Sequence, residues 1–127
     1  MHTAAAVNRL KRRTEFLAAA SGRRVETGPF LMQGRDRRDG GDPRVGFTVT
    51  KRTGSAVERN RIRRRLRAAA NSVLPRAGQA GFDYVLIARR PALTAPYEAI
   101  VQDMERALAR LHGRKRGNPE NGGMSDG

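Results

Sequence analysis

Hydrophobic positions in this chain of 127 residues fall into a few short patterns. Val45, Phe47 and Val49 alternate with Gly46, Thr48 and Thr50, which predicts a strand over 44–50 in a sheet covered on one face. Phe82 to Ala88 (FDYVLIA) is a nearly continuous apolar run of strand length, as suits a central strand. Between them, Ile62, Leu66, Ala69, Ala70 and Val73 fall within roughly a third of a helical circumference. Ser55 followed by Glu58 is a capping box that starts this helix, with Gly54 as its tight entry, and a polar turn is predicted over Pro75 to Gly81.

Thr94 and Pro96 signal a further helix, along which Tyr97, Ile100, Val101, Met104, Leu108 and Leu111 form one stripe before Gly113 stops it. Nearer the N-terminus, Thr14 can cap a short helix through Ala20, with Phe16, Leu17 and Ala20 sharing a face. Arg23 to Gln33 holds two short strands interrupted by Gly28-Pro29, and Gln33 to Pro43 reads as a loop. Residues 1–8 and 113–127 are expected to be disordered, leaving 9–112 as a single domain. This order of elements predicts an α+β or split α/β sandwich with helices on one side of a small sheet.

Charge changes the picture at one helix. Lys plus Arg total 26 against 12 acidic residues, a net charge of +14 that points to nucleic acid or an anionic membrane. Six of the nine residues from Arg59 to Arg67 are arginine. Arg59 and Arg63 flank one side of the apolar stripe, Arg61 and Arg65 the other, while Asn60, Arg64 and Arg67 point away. Like charges at these spacings repel, and Glu58 is the sole acidic neighbour to relieve them. A solvated face normally mixes signs, and the arginine fork pairs two phosphate oxygens at once, so the pattern predicts a polyanion-binding helix.

Catalytic chemistry finds little support. Cysteine is absent, which excludes thiolate metal sites and cysteine nucleophiles and suits a cytoplasmic location, and no run approaches a spanning helix. His2 and His112 sit at opposite ends in segments expected to be mobile or marginal. Asp36, Asp39 and Asp42 lack the spacing, glycine and terminal glutamate of a calcium loop and read as turn chemistry. Glu15, Glu26, Glu58, Asp83, Glu98, Asp103 and Glu105 are scattered, and no phosphate-binding glycine loop or HExxH occurs. With aromatics at 5% and no Trp, phosphate contacts should outweigh base stacking. Composition alone favours a structural RNA-binding protein such as a small ribosomal protein.

The stretch RVGFTVTKRTGSAVERNRIRRRLR closely resembles the signature of the bacterial ribonuclease P protein subunit. The pattern is a hydrophobic strand (Val45 to Thr50), a basic turn (Lys51, Arg52), Gly-x-Ala-Val (Gly54, Ala56, Val57), then Arg59, Asn60, Arg61, Arg63, Arg64 and Arg67. The likeness extends over about residues 9 to 111, through RLKRRTEF and FDYVLIARR. It implies an α-β-β-β-α-β-α sandwich with a left-handed βαβ crossover, against the usual rule. It further implies a monomer that assists a catalytic RNA in removing the 5′ leader of precursor tRNA, with Mg2+ acting through that RNA and no membrane partner. Lys51, Arg52, Arg59, Asn60, Arg61, Arg63, Arg64 and Arg67 would then bind the catalytic RNA. Lys11, Arg12, Phe16, Gln33 and Phe47 would form the leader-binding cleft, and the loop near Gln33 to Asp42 would be the region associated with metal ions. Ala20 and Gln33 stand where the family often has aromatics, so phosphate contact with the leader is better assured than stacking.

Overall fold

A computed structural model of the chain describes residues 8–113. The predicted disordered ends lie outside these residues, except Asn8, which is in a strand, and Gly113 at the end of the last helix. The strands are β1 (Asn8–Arg9), β2 (Arg23–Glu26), β3 (Phe30–Asp36), β4 (Arg44–Thr48) and β5 (Phe82–Ala88), and the helices are α1 (Arg13–Ala20), α2 (Ala56–Ala77) and α3 (Tyr97–His112). They form one five-stranded sheet in the order β1-β4-β5-β3-β2. β4 and β5 are parallel neighbours joined through α2, whereas β3 is antiparallel to both β5 and β2. The mixed α+β sandwich is as expected, with the short β1 added at the front.

The helices do not all lie on one side of the sheet, contrary to the sequence expectation. Tyr84, Leu86 and Ala88 of β5 join the main core under α2 and α3, while Val85 packs with Leu10 and Ala19, and with Phe16, on the α1 side. The apolar run of β5 already required this, because consecutive residues of a strand point to opposite faces and both faces here must be dry. Gly46 of β4 shows how closely α1 approaches. A Cβ built there would meet the Phe16 ring at 2.5 Å.

Four boundaries also differ. β4 stops at Thr48 and not at Thr50. α1 begins two residues earlier than a Thr14 cap allows, because the Glu15 carboxylate accepts the Lys11 and Arg12 amide N–H groups at 3.0 Å and itself completes the helix start. α2 continues through Pro75 to Ala77, since buried Leu74 anchors the last turn, and the Asn71 carbonyl that Pro75 cannot serve belongs to an exposed residue. β3 extends past Gln33 to Asp36 because β5 supplies a complete ladder, Gln33 to Val85 through Asp36 to Phe82. That partner is distant in sequence, so a weak local pattern gave no sign of it.

Candidate nucleic-acid interface

The arginine helix is built as its pattern predicts. The Ser55 hydroxyl accepts the Glu58 N–H at 3.2 Å, and the Glu58 carboxylate accepts the Ser55 N–H at 2.9 Å. Ile62, Leu66, Ala69, Ala70 and Val73 are all fully buried, which fixes the helix's rotation about its axis and therefore where its arginines point. Arg61 and Arg64 are exposed and, like Lys51 and Arg52 on the preceding 3-10 turn, their side chains form no hydrogen bond or ion pair among the described residues. Arg63 is half-buried and steadied by donating to the Asn60 side-chain oxygen at 3.2 Å. Arg59 donates to the Gly54 carbonyl at 3.2 Å, and Arg67 keeps a buried Nε with no partner.

Glu58 does not relieve the helix charge. Its two carboxylate oxygens take both arms of the Arg90 guanidinium at 2.8 and 2.9 Å. That pairing, with the Ser55 N–H second, holds its carboxyl at a pKa of about 2, well below the usual carboxylate range. Arg90 also donates to the Thr53 carbonyl at 3.0 Å, so the pair fastens the entry of α2 to the segment after β5. Arg65 belongs to the same fastening. It donates to the Ala92 carbonyl at 2.6 Å and to the Ala95 carbonyl. The arginines of one helix thus divide into a structural member and a face left for a ligand.

The proposed leader cleft is assembled only in part. Lys11 and Arg12 are exposed at the start of α1 and line an open cavity of about 700 Å3 together with Arg9, Glu15 and Arg44. Phe16 lies over Gly46 on this side of the sheet, and Gln33, 8% exposed, lies in its floor beside Val85. Phe47 does not join them. One residue after Gly46 it points to the opposite face and packs against the main core, so it is removed from the cleft. Leu17, expected to share a face with Phe16, is 57% exposed and presents apolar surface on α1.

Beneath the cavity lies a network that the sequence reading missed. Asp83 is fully buried in β5, and its carboxylate accepts Arg37 at 2.6 Å and both Nε and NH2 of Arg44, at 2.7 and 2.8 Å. Arg44 also donates to Glu15 at 2.8 Å and so ties α1 to the sheet. The Glu15 carboxyl is lowered from its ordinary value, first by the Arg12 and Lys11 amides and then by Arg44. A lone aspartate inside an apolar run was the available signal, because such a charge is tolerated only when paired.

Asp36 and Asp39 perform the predicted turn chemistry. Asp36 accepts the Arg38 N–H at 2.8 Å, and Asp39 accepts the Gly41 N–H at 2.9 Å and the Arg37 fork. Among the described residues no group of three or more His, Asp or Glu is placed to hold a metal ion. No helix among them is long and apolar enough to cross a membrane. His112, expected in a marginal segment, closes α3 with its Nε2 2.6 Å from the Tyr84 hydroxyl.

The sandwich and its one-signed helix face define a basic α+β protein suited to RNA phosphates. The chain belongs to the Ribonuclease P protein family, whose model matches residues 5–112. It is 49% identical to the ribonuclease P protein component of Ruegeria pomeroyi over 111 residues, covering 84% of this chain and 87% of the relative. It is 44% identical to that of Paramagnetospirillum magneticum, covering 85% of each. The solved RNase P protein of Staphylococcus aureus superposes with a TM-score of 0.68 at 26% identity, covering 82% of this chain and 94% of that one. These likenesses support the role of an RNase P protein subunit and do not favour a ribosomal protein.

Proposed function

We propose that this chain docks the catalytic RNA of ribonuclease P through Lys51, Arg52, Arg59, Asn60, Arg61, Arg63, Arg64 and Arg67, and holds the 5′ leader of precursor tRNA beside α1. The observation that carries this is an arginine face, without an ion pair among the described residues, on a capped, rotationally fixed helix. Lys11, Arg12, Phe16 and Gln33 serve the leader, with phosphate contact ahead of stacking. Hydrolysis is performed by the RNA with bound Mg2+ in the cytoplasm, and the chain, as a monomer, supplies charge neutralisation and positioning.

The test is reconstitution with a catalytic RNA from a related bacterium at low Mg2+. Leader cleavage should rise on adding the chain, and no gain would sink the proposal. Phe16→Ala should impair leader-bearing substrate more than mature tRNA binding; equal loss on both would confine Phe16 to packing over Gly46.

A further inference from the structure

Another cavity, about 560 Å3, opens where β3 runs beyond the start of β2, and its lining includes Arg23, Arg35, Asp36, Arg38, Phe82 and His112. β2 begins opposite Gly34, so Arg35 and Asp36 project past it. Arg23 donates to the Leu111 carbonyl at 2.9 Å, which holds it against the end of α3. Three guanidinium groups face one carboxylate in this lining, and an oxygen of that carboxylate already accepts the Arg38 N–H. The side chains of Arg35 and Arg38 have no partner among the described residues, although both are exposed beside the cavity.

Arg38 is also held at a conformational cost. Its φ is 65°, the only positive value at a non-glycine among the described residues. The neighbouring Arg37 enforces it, donating to Asp39, to Asp83, to the Phe82 carbonyl and to the Asp42 carbonyl at 2.6–3.0 Å. With Arg37 drawn inward, Arg38 is turned toward the cavity. Behind the lining residues His112 and Gln79, the hydroxyl of buried Tyr84 lies 2.6 Å from the His112 Nε2 and accepts the Gln79 N–H at 2.9 Å. These two contacts give the cavity a fixed wall.

We propose that this cavity binds an RNA backbone phosphate, as a second anchoring point apart from the arginine face of α2. The inference rests on the reading of the chain as an RNA-binding subunit. Arg35 and Arg38 supply charge-assisted hydrogen bonds, and Arg23 is held beside them as the third cation.

The variant Arg38→Gly removes the guanidinium and relieves the positive φ, so the melting temperature should hold or rise. Binding is then measured across a salt series in two arms, the catalytic RNA with the full chain and precursor tRNA with the assembled holoenzyme. In the arm whose RNA uses the cavity, affinity should fall roughly fivefold near ~0.15 M salt, and the slope of log K against log[salt] should lose about 0.7–0.9. Arg35→Ala should act in the same direction and arm. Unchanged affinity and slope in both arms for both folded variants would overturn the site while leaving the proposed function standing. Failure of the unsubstituted chain to bind either RNA would overturn both.

Discussion

Arginine does opposite work in two regions of this molecule. Around Asp83, Arg37 and Arg44 are drawn into carboxylate contacts at 2.6–2.8 Å, and their side chains retain only 10% and 27% of their exposure. On α2, Arg61 and Arg64 stand exposed and form no ion pair among the described residues. The first group spends its charge on the fold, and the second leaves it facing solvent. A count of basic residues cannot tell them apart. What separates them is whether a buried anion lies within reach, because a buried carboxylate without a partner costs far more than a solvated guanidinium.

Breaking the paired region should give the largest effect. Asp83→Ala leaves two partly buried cations facing each other without their shared carboxylate, with an expected loss of roughly 3 kcal/mol in urea-induced unfolding. A loss below about 1 kcal/mol would mean that the network is dispensable. The unpaired region should behave the other way. Arg64→Ala should change unfolding stability by less than about 0.5 kcal/mol, with a slight gain possible from relieved repulsion. It should instead flatten the salt dependence of RNA binding by about 0.7–0.9 per lost contact. A stability loss like that of Asp83→Ala would erase the distinction.

The smallest effect lies between the two regions, at Glu58. Its pKa of about 2 in the folded chain lies below the ~4.3 of an unfolded glutamate, so its ionised form stabilises the fold at neutral pH. That contribution is complete above ~4.3 and is lost as pH falls toward about 2. In acid unfolding followed by circular dichroism, Glu58→Gln should be less stable than the parent at neutral pH, and the gap should close across that window. A gap independent of pH would assign the role of Glu58 to packing.

The reach of local pattern explains what was legible. The α2 capping box, its buried stripe, the β5 run and the α3 stripe are set by neighbours within a few residues, and each formed where its spacing placed it, except that Tyr97 at the start of the α3 stripe is exposed. The arginine face followed directly, since a helix with one apolar stripe has only one way to orient the rest. Errors came where the deciding partner was remote. The extension of β3 depended on β5, the start of α1 on the Glu15 carboxylate, and the removal of Phe47 from the cleft on which side of β4 received Phe16.

By itself, then, the sequence determined most of the elements, the family likeness and the presence of an arginine-faced helix, because periodicity and capping act over a single helical turn or strand. Only the tertiary structure decided which arginines remain available. Arg65, Arg90, Arg37 and Arg44 looked no different in sequence from Arg61 and Arg64, yet they are bound to Ala92, Glu58 and Asp83 across separations of 27 to 46 residues. Coulomb attraction and hydrogen bonding act through space, and the fold determines which charges meet.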